Sequence, residues 1–414
     1  MGSREILVLT PFFSCEGYEE KWDIKYDPQG GMQLLISRLC IYMSNTLQDM
    51  KFTVITMGQP RIPKERLYAG KIKVLSRRVP IPKIHSSLGG YCGLIKAWAV
   101  ATFFELFKFP KDRFIVIFAH ADGSGTAMLL YYLAKKILRI PLILQIHSSR
   151  GATQRPTNLW EKITNSLAVK MELKTVSCAD KIYVLSDYTK EYYTDNTTKE
   201  LNIEKIVYLP ISNMRERVDK TRVKQIQNEI NPSNRKILLY LGRISEEKGW
   251  EAFVELSEYL SPDKYMILIC GDGPDLQKMR KKIHDKKKDD LFTFMGFIKH
   301  EDVQNYITLA DIGIVPSKYE ELGLVILEMM SMGLPVISYN LPTVRQIIEH
   351  KKNGLLVEQD NILDMYDSIR QLCMDKVLYT RISQNAIETS RVICTGINNV
   401  GDKIGDYIRE VGER

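Results

Sequence analysis

The stretch IGIVPSKYEELGLVILEMMSMGLPVISYN (312–340) sets two short apolar runs, IGIVPS and PVISYN, on either side of a segment with helical spacing. Strands whose residues are nearly all apolar, joined through a helix, run parallel and are covered on both faces. The stretch therefore reads as one strand–helix–strand unit. Of its three acids, Glu320 and Glu328 stand out in a segment otherwise built for burial. A carboxylate taken out of water is costly unless something pairs with it, so each acid is either exposed by helical phase or placed to hold a ligand. With the helix beginning near Gly323, Glu320 lies just before its N-terminus and Glu328 falls in its second turn. The run LVILEMM leaves little room for a solvent face, which counts against reading Glu328 as an ordinary exposed helix position.

The same alternation extends outward in both directions. EILVLT, FTVITM, IKVLS, FIVIFAH, LILQIHS, KIYVLS and KIVYLP read as strands of the first half, and KILLYLGR, YMILICGDG, LFTFMGF, IGIVPS, PVISYN and GLLVE as strands of the second. Amphipathic stretches such as 32–50 and 250–260 lie between them. The fold class expected is α/β, with two doubly wound parallel sheets. The polar, Pro-containing stretch 211–235 is the natural linker between domains over 1–210 and 236–390, and 391–414 forms a C-terminal helix. At 414 residues, two domains are also what chain length predicts.

Composition excludes several classes of protein. The seven cysteines are odd in number, scattered and without CxxC or Cys/His spacing, which argues for a reducing cytoplasm and against a metal site. The N-terminal apolar run is short and follows Glu5, so it reads as a buried strand rather than a secretory signal, and no window suits a membrane span. Residues 1–205 carry 29 Lys and Arg against 19 Asp and Glu, whereas 206–414 carry 29 against 31. The densest patch, 61–83, has eight basic residues and one acid and reads first as a solvated basic loop and strand edge. It also suits an anionic lipid surface or a phosphorylated acceptor. No aromatic-interleaved basic array or zinc-finger spacing is present, so nucleic acid is not an expected partner. The apolar, basic-ended stretch 88–111 reads as a buried helix, with peripheral membrane contact as the alternative.

In open α/β sheets, ligands sit at the carboxyl ends of the strands, and five such ends stand out. Arg243 and Lys248 follow the strand LLYLG in LGRISEEKGW; converging cations of this kind neutralise a diphosphate, Arg as a planar bidentate donor and Lys as a point charge. Two surface cations beside Glu246 and Glu247 are the plain alternative. Gly30 and Gly31 enter the first long helix, where bare backbone and a helix N-terminus suit an anion, although most such pairs are turns. Gly271, Asp272 and Gly273 end the strand MILIC. His120 and His147 end two strands of the first sheet and are either structural histidines or part of a polar pocket. The fifth end is the opening stretch, where the Gly323 and Leu324 N–H groups face the same space as Glu320. No GxGxxG follows the first strand, so hydride transfer is disfavoured.

The motifs GRISEEKG, GDGP, FMGFI, PSKYEELGLVILEMMSMGLPVIS and KNGLLVEQD together resemble, across most of 236–360, the C-terminal half of family 4 retaining glycosyltransferases of the GT-B fold. The resemblance implies two Rossmann-like doubly wound domains facing a cleft, the second binding a nucleotide sugar. It implies that Arg243 and Lys248 hold the diphosphate with help from the Gly31 N–H. Glu320 would contact the donor hexose, Glu328 the ribose hydroxyls, and His120 the C6 hydroxyl of the sugar. The backbone around Phe297 and Ile298 would face the base, with Gly271, Gly323 and Leu324 lining the same site. Where many relatives have Gly-Phe-Gly after the first acid, this chain has Glu321-Leu322-Gly323.

The function implied is transfer of a glucose- or N-acetylglucosamine-type hexose from a UDP-linked donor to an acceptor hydroxyl, without a metal cofactor. The acceptor is a glycan, a lipid-linked species or a small molecule such as an aminocyclitol. Loops 11–30, 61–93 and 148–160 would choose it. The implied location is the cytoplasm, including the inner face of the membrane. A nucleotide-sugar 2-epimerase of the same fold and a non-catalytic nucleotide-sugar-binding protein remain alternatives.

Overall fold

The computed structural model describes residues 4–14, 17–18, 31–58, 61–77, 90–110, 112–153, 159–209, 214–231 and 233–413. Of the loops expected to meet an acceptor, residues 15–16, 19–30, 78–89 and 154–158 lie outside this set, as do Gly30 and residues 211–213. The chain forms two compact units, 1–210 with 396–414, and 211–395.

The first unit is built on an eight-stranded sheet: β1 (Arg4–Leu9), β2 (Met50–Met57), β3 (Glu65–Tyr68), β4 (Ile72–Arg77), β5 (Phe114–Ala121), β6 (Leu142–Ile146), β7 (Lys181–Val184) and β8 (Ile203–Lys205). Their spatial order is β3-β4-β2-β1-β5-β6-β7-β8. Every neighbouring pair is parallel except β3 with β4. β3 is a strand the sequence reading lacks, since ERLY is only four residues long and its burial runs against polarity, with Arg66 inside and Leu67 exposed. It is an added antiparallel edge, and it accounts for the described part of the basic patch: Lys73 pairs with Glu65 at 2.7 Å, and Arg66 bonds Ser76 Oγ and the Ser14 carbonyl, each at 2.8 Å. The last strand was expected over 205–210 but occupies Ile203–Lys205, while Val207 and Tyr208 are buried outside the sheet.

Alternation places Ile117, Ala119 and Ala121 of β5 and Leu142, Leu144 and Ile146 of β6 in one core with Trp98, Ala127, Tyr131 and Val176 of the covering helices. His120 and Gln145 therefore project from the opposite face. Burying a Leu- or Ile-sized side chain contributes about 1.5–3 kcal/mol, so this core supplies the main favourable free energy of the unit. The helix Gly90–Leu106 turns Ile95, Trp98, Ala99, Thr102 and Leu106 inward at helical spacing. Its outer face carries Val100 and Phe104, half or more exposed. No helix among the described residues is long and apolar enough to cross a membrane.

The chain returns to this unit at its end. The final helix, Ile397–Gly412, buries Val400, Ile404 and Ile408. It packs on the helix Gly31–Thr46, where Tyr42 Oη–H donates to Asp402 at 2.7 Å. It begins later than the 391 read from sequence, because helix Lys376–Ile393 runs on through that point.

The second unit has six parallel strands: β9 (Lys236–Leu241), β10 (Tyr265–Cys270), β11 (Phe292–Gly296), β12 (Ile312–Val315), β13 (Val336–Tyr339) and β14 (Leu355–Val357). They are ordered β11-β10-β9-β12-β13-β14. Numbered within the unit, this is 3-2-1-4-5-6, the doubly wound Rossmann order. The stretch read as a linker contains the helix Lys220–Ile230, capped by Asp219, whose carboxylate accepts from the Thr221 and Arg222 N–H groups at 2.9 and 3.0 Å. The Asp219 N–H donates to Asn305 Oδ1 at 2.9 Å, tying this helix into the second unit.

Candidate active site

In the 3-2-1-4-5-6 order, the strand sequence reverses between β9 and β12, and the crevice outside their carboxyl ends is where such a sheet takes ligands. The loop leaving β9 carries Arg243 and Lys248; the loop leaving β12 carries Glu320 and leads into the helix Leu324–Met332, capped by Gly323. Topology thus gathers at one point three residues separated by up to 77 positions in the chain. The contacts are direct. Lys248 Nζ donates to Glu320 Oε1 at 2.6 Å, and the Lys318 N–H donates to the Glu247 carbonyl at 2.9 Å.

Glycine permits this close approach. Gly249 has φ +66°, and a Cβ there would lie 1.8 Å from the Pro316 carbonyl oxygen. A Cβ on Gly271 would lie 1.8 Å from the Gly242 carbonyl oxygen. Backbone bonds from Gly242 N–H to Cys270 O (3.0 Å) and from Gly271 N–H to Gly296 O (2.8 Å) then link the exits of β9, β10 and β11.

Arg243 does not contact either predicted acid. Its Nη2 donates to Glu247 Oε1 at 2.5 Å, an oxygen that also accepts from Ser245 Oγ at 2.7 Å. Burial pushes the Glu247 carboxyl up, but the Arg243 charge and the Ser245 hydroxyl outweigh it and hold the group below the usual carboxylate range. Glu247 therefore remains an anion that fixes the guanidinium. It was passed over in the sequence because an acid beside two cations reads as a solvated pair.

Glu328 is buried, at 4% exposure, so the exposed-helix alternative fails. Its partner is His300, whose Nε2 lies 2.9 Å from Glu328 Oε1 and whose Nδ1 is buried with no hydrogen-bond partner among the described residues. His300 sits four residues beyond β11, just after Phe297, which is 46% exposed, and Ile298. Sequence reasoning missed His300, since a lone histidine in a polar loop carries no pattern. The structure brings Glu320 to Lys248 and Glu328 to His300, so the two acids occupy separate polar contacts of one unit.

In the first unit, the strand order reverses between β1 and β5. The helix Gly31–Thr46 follows β1, so Gly31 stands at its N-terminus, and His120 lies near the carboxyl end of β5. His120 is fully buried. Its Nδ1 lies 3.0 Å from His147 Nε2, and the rings stack at 5.3 Å. His147 keeps 7% exposure, so of the two it is the one open to a ligand. Burial, with the neighbouring His147 dipole and charge adding to it, drives the His120 pKa well below its usual value; burial alone lowers His147 to about 3. Both rings are neutral at physiological pH. One proton serves the contact between them, leaving His120 Nε2 and His147 Nδ1 without partners among the described residues.

The chain matches the family model described as glycosyl transferases group 1 over residues 221–389, which spans the second unit almost entirely. It is 31% identical over 388 residues to the alpha-D-kanosaminyltransferase of Streptomyces kanamyceticus, covering 92% of this chain and all of that protein. It is 29% identical over 345 residues, 82% of this chain and 87% of the relative, to the 2-deoxystreptamine N-acetyl-D-glucosaminyltransferase of Niallia circulans. Among solved structures, sucrose-phosphate synthase from Thermosynechococcus elongatus superposes with TM-score 0.80 at 18% identity, over 99% of both chains. The Anabaena protein HepE, solved with UDP-glucose, superposes with TM-score 0.71 at 14% identity, covering 98% of this chain and 99% of that one. Two parallel-sheet units of this topology, with full-length similarity to named sugar transferases, place the chain among the group 1 glycosyl transferases of the GT-B fold, as a hexosyltransferase that uses nucleotide sugars.

Proposed function

We propose that this enzyme moves a hexose of glucose or N-acetylglucosamine type from a UDP-linked donor to a hydroxyl of an aminocyclitol, with retention of anomeric configuration. The observation that carries the reading is the Lys248–Glu320 contact at the topological switch point of the second unit. It sets a cation for the leaving diphosphate beside an acid for the sugar. The aminocyclitol class is supported by relatives that carry 2-deoxystreptamine in their names.

Cleavage of the bond from C1 to the phosphate oxygen builds positive charge on the sugar and negative charge on the diphosphate. Fixed cations at the latter stabilise the transition state by about 2.7–4 kcal/mol each where water is excluded. In this scheme Arg243, held by Glu247, and Lys248 take the diphosphate, with backbone N–H groups near Gly271, Gly323 and Leu324 available to its oxygens. Glu320 steadies the cationic sugar, Glu328 accepts from the ribose hydroxyls, and the backbone at Phe297 and Ile298 faces the base. The leaving phosphate helps to take the proton of the acceptor, so the bond to the acceptor oxygen forms on the face from which the phosphate departs. No divalent metal enters the scheme.

The test is incubation of the enzyme with UDP-glucose, UDP-N-acetylglucosamine and their GDP counterparts, with 2-deoxystreptamine and its singly glycosylated derivatives as acceptors, read by mass spectrometry and NMR. An α-linked product with a UDP donor, formed equally in chelator, is the expected result. A new sugar nucleotide formed from donor alone would assign an epimerase instead. Failure with every aminocyclitol, alongside transfer to a lipid-linked acceptor, would overturn the acceptor class.

A further inference from the structure

We propose that Asp122 is the acceptor-recognition residue of the first unit, a carboxylate that binds a protonated amine of the acceptor. The inference rests on the aminocyclitol reading above and assigns that acceptor a site. Asp122 directly follows β5 on the side of the sheet where the strand order reverses between β1 and β5, the position at which a doubly wound sheet takes ligands. The β5–β6 register pairs His120 with Gln145 and Ala121 with Ile146. Continued by one residue, it sets Asp122 beside His147, whose N–H bonds the Ala121 carbonyl at 2.8 Å.

The partners of Asp122 distinguish it from the other acids nearby. Glu172 is saturated: it accepts from Ser149 Oγ and Tyr193 Oη, both at 2.6 Å, and from the Arg150 N–H at 3.0 Å, so its work is to hold the loop after β6. Asp122 accepts from the Ser124 N–H at 3.1 Å. No Lys or Arg nitrogen among the described residues forms an ion pair with it. Arg150 Nε donates to the Gly123 carbonyl at 2.9 Å, and its charge reaches Asp122 without an ion pair. A partly buried carboxylate that accepts from backbone N–H groups and forms no ion pair among the described residues keeps acceptor capacity for an ammonium. Burial raises its carboxyl to about 6, against the Ser124 and Asp122 N–H groups and the Arg150 charge, which pull it down. A second, independent observation lies next to it: His147 is more than nine-tenths buried, and its Nδ1 has no partner among the described residues. A carboxylate and an imidazole at neighbouring register positions suit an amine adjacent to a hydroxyl, the pattern of an aminocyclitol.

The positive balance of the first half does not oppose this. The described basic residues of the 61–77 patch lie at the β3–β4 edge, and β4 is three strands away from β5. At about 4.8 Å per strand this is about 14 Å, beyond the Debye length of about 8 Å at physiological salt.

The experiment compares wild-type enzyme with Asp122→Asn, which keeps shape and removes charge, on amine-bearing acceptors and on the same acceptors N-acetylated. We expect the variant to raise the acceptor KM by about tenfold or more, with no matching rise in the donor KM. Acetylating the contacted amine should cost the wild-type enzyme the same factor and the variant nothing further. Asp122→Glu should restore part of the loss. The acetylation arm needs no variant, so a folding defect in Asp122→Asn would leave it intact. An acceptor KM within about twofold of wild type in Asp122→Asn, or equal acetylation penalties in both proteins, overturns the role of Asp122 while leaving the transferase reading standing. Absence of transfer to any aminocyclitol by the wild-type enzyme overturns the acceptor class itself, and this assignment with it.

Discussion

Lys248 Nζ lies 2.6 Å from Glu320 Oε1, joining residues 72 positions apart across the exits of two adjacent parallel strands. Neither group is fully enclosed, with 31% of the Lys248 side chain and 12% of the Glu320 side chain exposed. A pair of this kind contributes little to stability by itself, because exposed ion pairs contribute about 0–1 kcal/mol. Its value is positional: each charge holds the other where a sugar pyrophosphate would need it. Lys248→Ala should lower kcat/KM by about 10²–10³, with a melting temperature close to that of the wild type. Near-normal turnover in that variant would remove the diphosphate role. A large fall in melting temperature would recast the pair as structural.

The contact between His300 and Glu328 makes a separate prediction. Glu328 is nearly enclosed and has one ring nitrogen at hydrogen-bond distance, so the imidazole sets the direction of the carboxylate. Removing one partner of a charge-assisted hydrogen bond costs about 1.5–3 kcal/mol. His300→Ala should therefore raise the donor KM about tenfold while changing kcat little, and His300→Gln, which retains an N–H, should recover part of it. A fall in kcat with unchanged donor KM would place His300 in the chemical step and contradict its role as a positioning residue.

Backbone geometry at Gly249 gives a stability prediction. The residue has φ +66°, and its added Cβ would meet the Pro316 carbonyl at 1.8 Å, a rigid obstacle. Gly249→Ala should cost about 1–3 kcal/mol from backbone strain, and more if the β9 and β12 loops must separate. Activity should fall further than stability, because the same separation parts Lys248 from Glu320. Thermal melting and steady-state kinetics on one preparation would test this, and a variant stable and active as wild type would show the two loops to be independent.

The parts of this molecule visible in sequence are those carried by periodicity and by chain order. Six apolar runs alternating with helices yield the parallel sheet of the second unit directly, and strand ends marked by Gly242-Arg243, Gly271 and Gly323 give its ligand edge. Glu328 was readable because LVILEMM leaves no solvent side. What escaped was set by tertiary neighbours. β3 is a four-residue edge that buries Arg66 and exposes Leu67, so no hydrophobic alternation marks it. Glu247 and His300 act through one contact each, made with residues that folding delivers, so no local spacing marks them. His120 and His147 could be placed on adjacent strands, but their mutual burial depends on helices packed over the sheet, and only that burial shows His120 to be sealed behind His147.

That sealing makes the first unit sensitive to acid. The folded-state pKa of His147 is depressed to about 3 by burial, and that of His120 also lies well below the usual imidazole value of about 6.5. Between those limits the unfolded chain binds protons that the folded chain does not, so stability rises with pH through this window and is lost as pH falls below about 6.5. One such histidine contributes a slope of up to about 1.4 kcal/mol per pH unit. Asp122, whose carboxyl is raised to about 6 by burial, opposes this trend, because it takes up a proton more readily folded than unfolded. Tyr131, bonded to the His120 carbonyl at 2.8 Å, is driven up by burial and stays neutral throughout. Amide exchange of β5 and β6, followed from pH 7 down to pH 4, should show protection falling in the wild type and falling less steeply in His147→Asn. Parallel slopes in the two proteins would show that the imidazoles are hydrated when folded and that the closed pair does not govern the acid limb.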